Sequence, residues 1–151
     1  MTPAVKAAER AGIEFRLHEY SGVEMGEGDY AAAVAKALGM PAGRLFKTLV
    51  VDADGALHAY VVPGNRQLDL HAVGKRAVLA ERAAAERATG YVVGGISPLG
   101  QRRRLPTTVD EAALAWPTIL VSAGRRGLQI ELGPDDLVRL TGARVAAVSK
   151  D

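Results

Sequence analysis

A lysine set in an apolar β-run is the first residue of this chain that could do chemistry. In Leu45-Phe46-Lys47-Thr48-Leu49-Val50-Val51, a two-residue period puts Lys47 on the same face as Leu45, Leu49 and Val51. An ammonium held at a pocket wall attracts an anion strongly, because the surrounding dielectric is low. On an edge strand the same side chain would run its apolar stem along the surface and carry its charge to water. The strand pattern by itself favours this second reading.

A second candidate is Gly94-Gly95-Ile96-Ser97-Pro98-Leu99-Gly100, with three glycines in seven residues after a strand-like run at 91–93. Glycine lets the backbone approach a ligand and lets neighbouring N–H groups converge on an anion or a developing oxyanion. A purely structural loop at the end of a sheet has the same composition. The segment lacks both the Gly-Lys-Ser/Thr of a triphosphate-binding loop and the spacing of a dinucleotide fingerprint, so nucleotide-triphosphate hydrolysis is disfavoured.

Two basic clusters flank glycine turns: Arg102-Arg103-Arg104 follows this loop, and Arg125-Arg126 lies between Gly124 and Gly127. Such runs are usually solvated faces, but beside glycine turns they would also form a rim that follows phosphates. Ser122 ends an apolar strand without the elbow motif or adjacent base that a nucleophile needs. His18, His58 and His71 stand at no metal-ligand spacing, so no metal site is expected. Asp52-Ala53-Asp54-Gly55 reads as a turn, since its glycine comes too early for a calcium loop.

The bulk composition limits the remaining possibilities. The 151 residues include no cysteine, which excludes disulfides, thiolate metal sites and a cysteine nucleophile. The apolar fraction of 48% and charged fraction of 24% fit a soluble globular domain, and the chain is long enough to bury a core. A net charge of +2 is too small to diagnose a nucleic-acid binder, so the placement of the arginines matters more than their number. Lys6, Glu9 and Arg10 interrupt the N-terminal segment, leaving no signal-like apolar stretch, and a cytoplasmic, non-membrane protein is expected.

The elements that must position these residues are legible in outline. Thr2-Pro3 opens a helix that Gly12 stops. Residues 15–20 alternate as a strand, and Asp29 can cap a helix through Leu38, stopped by Gly39. Residues 45–52 and 57–62 form a hairpin about Ala53-Asp54-Gly55. An Ala-rich helical pattern fills 69–88, broken near Gly74 and ended at Gly90. Strands are expected at 118–122, 128–132 and 144–148, with a short helix from Pro134 to Gly142 between the last two. Interspersed helices and strands with a tight hairpin imply one α/β domain over residues 1–151 with a mixed sheet.

Read together, the segments resemble a known family. Met1-Thr2-Pro3-Ala4-Val5-Lys6, Phe46-Lys47-Thr48-Leu49, Gln67-Leu68-Asp69-Leu70, the run from Thr89 to Gln101 and Arg125-Arg126-Gly127-Leu128 are similar, in the same order, to the YbaK/EbsC family of aminoacyl-tRNA deacylases. These are relatives of the editing insertion of bacterial prolyl-tRNA synthetases. The resemblance implies a strongly curved, barrel-like sheet with flanking helices. It also implies trans-editing ester hydrolysis of mischarged tRNA, chiefly Cys-tRNA(Pro), with tRNA and prolyl-tRNA synthetase as partners and no cofactor.

By the same resemblance, Lys47 is the family's essential lysine near the tRNA 3′ end and the scissile ester. The Gly94–Pro98 loop, with Gly94, Gly95, Ile96 and Pro98 as its site positions, would supply backbone donors around the carbonyl, and Tyr20, Thr48, Gly100 and Ser122 fall on pocket positions. One position departs: close relatives carry Asp where this chain has Gln129, which can hydrogen-bond a substrate but offers no charge. A deacylase for another amino acid such as alanine, a non-catalytic tRNA- or synthetase-binding regulator, and a phosphate-binding small-molecule domain are the alternatives.

Overall fold

The computed structural model describes residues 1–23 and 30–151. Helix α1 (Pro3–Ala11) starts as its sequence dictates: Thr2 Oγ1 accepts the Val5 N–H, and Gly12 closes the helix in the left-handed conformation. Strand β1 (Phe15–Glu19) follows, then α2 (Tyr30–Leu38) and a 3₁₀ turn at Ala42–Arg44. The expected α2 cap, Asp29, lies outside the described residues.

The hairpin forms from β2 (Phe46–Ala53) and β3 (Ala56–Pro63), joined by a two-residue turn in which Asp54 and Gly55 both have positive φ, 54° and 87°. That conformation matches the right-handed twist of the strands, and the Gly55 N–H is held by Asp52 Oδ1 at 2.7 Å. A two-residue strand β4 (Gln67–Leu68) leads to the short helix α3 (Leu70–Val73).

Beyond α3 the structure departs from the helical pattern expected over 69–88. Residues Ala77–Leu79 form strand β5, which adds to β2, before helix α4 (Arg82–Thr89) begins. The open backbone edge of β2 takes up these three residues, and the Ala80 N–H just beyond them still donates to the Val50 carbonyl of β2 at 2.9 Å. Residues 91–93 are irregular, not strand. Strand β6 (Thr107–Asp110) carries no expectation from the sequence: its run is four residues long and follows a proline.

The C-terminal third contains β7 (Ile119–Arg125), β8 (Leu128–Leu132), α5 (Pro134–Thr141), β9 (Arg144–Ala146) and β10 (Ser149–Lys150). Among the described residues the strands make three sheets, ordered β5-β2-β3-β6-β9, β1-β8-β7 and β10-β4. The first is mixed: β2 and β3 are antiparallel, whereas β3–β6 and β6–β9 are parallel.

The expectation of a mixed α/β domain therefore holds, but the sheet does not close into a barrel. Among the described residues, the five-stranded and three-stranded sheets are bridged in backbone only at Leu45 and Leu120. They enclose one core instead, with Phe46, Val50, Val61 and Val109 from one sheet and Ile119, Val121, Ile130 and Leu132 from the other. Ala4, Val5 and Ala8 of α1 join the same core. No helix among the described residues is long and apolar enough to cross a membrane.

Candidate active site

Where β2 diverges from the three-stranded sheet, the fold leaves an apolar cavity of about 400 Å³. Its walls come from α2, β2, the start of α4, the Val93–Ile96 loop, β7 and β8. Phe46 and Val50 turn into the main core while Leu49 and Val51 turn into a second cluster with Tyr60 and Val62. Lys47 belongs to the second set by period, and it lies on the cavity wall.

Among the described residues, this largely apolar surface carries the polar side chains of Tyr30, Lys47, Thr48, Arg82, Ser122 and Gln129, and Gly94 also lines it. Gln129 is only 5% exposed. It sits on the central strand β8, opposite Ser122 of β7 and His18 of β1, so all three share one face. Neither Gln129 Oε1 nor Thr48 Oγ1, both buried, has a hydrogen-bond partner among the described residues. Buried polar atoms are rarely left in this condition without a functional reason. Ser122 Oγ accepts the Gly124 N–H at 3.2 Å.

Of the other residues singled out in the sequence, Tyr20 stands behind the wall. Its hydroxyl meets that of Tyr30 at 3.0 Å, and it is Tyr30 that faces the cavity. Burial, reinforced by the contact with Tyr20, raises the Tyr30 phenol well above its ordinary value and keeps it protonated.

The glycine loop divides into two parts. Gly94, with φ of 95°, and Ile96 reach the cavity. Gly95 packs on the β7–β8 hairpin so tightly that a Cβ there would lie 2.7 Å from the Arg125 Cα. Pro98 and Gly100 line a separate, smaller cleft with Arg104 and Thr141. Gly100 abuts the first turn of α1, where a Cβ would come within 2.5 Å of the Pro3 carbonyl oxygen.

The arginines separate in the same way. The backbone N–H groups of Arg102 and Arg103 close the end of α4 by donating to the Thr89 and Ala88 carbonyls, and the Arg104 side chain donates to the Leu140 carbonyl. Arg125 donates to the Arg126 carbonyl. Arg126 donates through Nε and Nη2 to the Val93 carbonyl at 3.2 and 2.8 Å. The two clusters thus belong to different faces of the glycine loop.

Several contributors escape the sequence reading. Arg82 and Glu86 form an i,i+4 pair at 3.4 Å, a spacing visible in the sequence, but only the fold carries Arg82 to the cavity. Glu86 also accepts the Val93 N–H at 2.8 Å, which holds its carboxyl below the usual value.

On the same face as Gln129, Glu131 accepts from His18 at 2.7 Å, Thr118 at 2.7 Å and Arg44 at 3.1 Å; Arg44 also bonds Thr118. Burial alone would raise the Glu131 carboxyl, but hydrogen bonds from Thr118 and His18 and the Arg44 charge outweigh it and hold it below its ordinary range. His18 is thus tied to a carboxylate, and no group of three metal-capable side chains occurs among the described residues.

Comparison with known proteins places the chain in context. Residues 26–140 match the family of aminoacyl-tRNA editing domains. A curated Enterococcus faecalis protein, EbsC, named as a candidate Cys-tRNA(Pro)/Cys-tRNA(Cys) deacylase, is 36% identical over 98% of this chain and 93% of its own. The crystal structure of a candidate trans-editing enzyme for prolyl-tRNA synthetase superposes with a TM-score of 0.84 at 26% identity, covering 100% of this chain and 99% of that one. A crystal structure of a hypothetical protein gives a TM-score of 0.86 at 29% identity, covering 99% and 100%.

Proposed function

Because this chain belongs to the aminoacyl-tRNA editing domain family, we propose that it hydrolyses mischarged tRNA in trans, chiefly Cys-tRNA(Pro), in the cytoplasm. It thereby protects translation fidelity alongside prolyl-tRNA synthetase. The observation that carries this reading is a pair of buried acceptors, Thr48 Oγ1 and Gln129 Oε1, without partners among the described residues, in an apolar cavity whose wall also presents Lys47 and Gly94. A small polar amino acid supplies the hydrogen-bond donors those acceptors lack, and the dry walls strengthen each contact. The ester carbonyl then lies against the glycine loop, and the ammonium of Lys47 faces the phosphates and ester at the tRNA 3′ end.

An aminoacyl ester is already activated, so positioning and oxyanion stabilisation supply most of the required catalysis. For a cysteinyl substrate the attacking group is the substrate's own thiol, whose ordinary pKa of about 8.5 leaves a few per cent thiolate at neutral pH. The S–C bond forms as the ester C–O bond breaks. The ribose oxygen leaves with the thiol's proton, and the strained thioester that results is hydrolysed by water. Lys47 favours the thiolate electrostatically.

Deacylation of a panel of charged tRNAs, with single-turnover rates for Cys-, Ser- and S-methyl-Cys-tRNA on one tRNA body, tests both levels. The expected order places Cys-tRNA far ahead of the other two. Equal rates for thiol and hydroxyl substrates would replace the thiol with an enzyme-held water. Inactivity on every charged tRNA would remove the deacylase reading.

A further inference from the structure

Both backbone polar groups of Val93, the residue before Gly94, are held by charged side chains. Glu86 of α4 accepts the Val93 N–H at 2.8 Å, and Arg126 of the β7–β8 turn donates twice to the Val93 carbonyl, at 2.8 and 3.2 Å. The Val93–Gly94 peptide is trans, so the Gly94 N–H points opposite to the Val93 carbonyl it shares a peptide with. The carbonyl is drawn toward Arg126, which lies outside the cavity lining, whereas Gly94 itself is part of that lining. None of the turn and loop hydrogen bonds among the described residues takes up the Gly94 N–H. Gly95 allows the clamp to close: its missing side chain lets the loop rest directly on the Arg125 backbone.

We propose that Arg126 and Glu86 are positioning residues that fix the Gly94 N–H toward the scissile carbonyl, and that Arg126 also polarises this peptide and strengthens its donor. This rests on the deacylase reading above and adds to it a specific donor and the two side chains that aim it. A charge-assisted hydrogen bond to a peptide oxygen is shorter and stronger than a neutral one, and it pulls electron density from the N–H at the other end. The positive φ of Gly94 is a conformation that other residues rarely adopt, and the two charged side chains fix the residue immediately before it.

The deciding experiment compares Arg126→Gln, Arg126→Lys and Glu86→Gln in the full-length protein with Cys-tRNA(Pro), separating the single-turnover rate at saturating tRNA from KM. Losing an oxyanion donor costs on the order of 10²–10³ in rate, so loosening one that stays in place should cost roughly tenfold. The expected result for Arg126→Gln is that fall in the saturated rate with KM changed less than about twofold, with partial recovery in Arg126→Lys, which keeps the charge. Glu86→Gln should fall similarly or less. A raised KM and flattened salt dependence with an unchanged saturated rate would make Arg126 a phosphate contact and overturn the proposal.

The ¹⁵N–¹H resonance of Gly94 gives a readout independent of activity. It should move in Arg126→Gln more than in Arg126→Lys, and an unmoved resonance overturns the clamp even if the wild-type protein deacylates nothing. Wild-type inactivity together with a shifted resonance would instead overturn only the deacylase reading.

Discussion

Replacing Gln129 with leucine should make the protein more stable and less active. The carboxamide is 5% exposed, and its Oε1 has no partner among the described residues of the folded state, whereas it is fully hydrated in the unfolded chain. An unsatisfied buried polar group costs about 1–3 kcal/mol. Leucine has a similar length, leaves no polar atom behind and packs against the apolar cavity wall, which already includes Val34, Leu45 and Ile96. Taking the lower half of that range, to allow for an imperfect fit, the gain is about 1–2 kcal/mol.

For a chain of this size each kcal/mol moves Tm by roughly 2–4 °C, so thermal unfolding should shift upward by roughly 2–8 °C. Deacylation should fall because the same atom is proposed to hold the substrate, a trade of activity for stability that is common where a site keeps polar groups unpaired. The assays are calorimetric unfolding and single-turnover deacylation of one charged tRNA. A variant that unfolds at or below the wild-type temperature would show that Gln129 Oε1 is satisfied in solution. Unchanged activity in a stabilised variant would show that the substrate never meets it. Gln129→Asp, which restores a carboxylate, should instead destabilise the free protein, because a buried charge without a partner is worse than a buried amide.

Three further outcomes are expected. Lys47→Ala should lower the deacylation rate on the order of 10²–10³ while retaining the wild-type circular dichroism spectrum, and a folded variant within threefold of wild type would take Lys47 out of the mechanism. Neutralising Arg102 and Arg103 should reduce the slope of log binding constant against log salt by roughly 0.7–0.9 for each phosphate that is no longer neutralised, whereas an unchanged slope returns them to the solvated surface. The folded-state carboxyl of Glu131 titrates below its ordinary value of 4.5. Its contribution is therefore present above that value and disappears as pH falls through the lowered one. The stability difference between wild type and Glu131→Gln should be largest at neutral pH and shrink below about pH 4.5. A difference independent of pH would mean that the ion cluster with His18, Arg44 and Thr118 does not couple to folding.

Much of the fold is carried by local chemistry that a sequence displays directly. Thr2-Pro3 with Gly12, Asp54-Gly55, and Pro134 with Gly142 each select a backbone conformation through contacts within a few residues, and each element bounded by them forms where expected. The nucleus of the candidate site was legible as well. Lys47 stands out by its type in an apolar run, the glycine loop by its composition, and Gln129 by its departure from a family pattern.

What the sequence could not determine depends on partners distant along the chain. Residues 77–79 become strand because the β2 edge is open to them, and β6 is a strand because β3 and β9 lie on its two sides. Among the described residues the barrel-like closure implied by resemblance is absent, because the two larger sheets meet in backbone only at Leu45 and Leu120 and otherwise share a core through side chains. The glycine-rich run looks uniform in one dimension, yet tertiary contacts assign Gly94 to the cavity, Gly95 to the Arg125 backbone and Gly100 to the first turn of α1. The adjacent arginines have the same type and charge, but Arg104 and Arg126 bond carbonyls on different sides of the loop. Residue type and short-range spacing therefore determined which groups are available for chemistry. Which of them share a cavity, and which polar atoms are left there without a partner, was decided only when packing brought β2, β8 and the Val93–Ile96 loop together, because burial and hydrogen-bond satisfaction depend on neighbours that the order of residues does not supply.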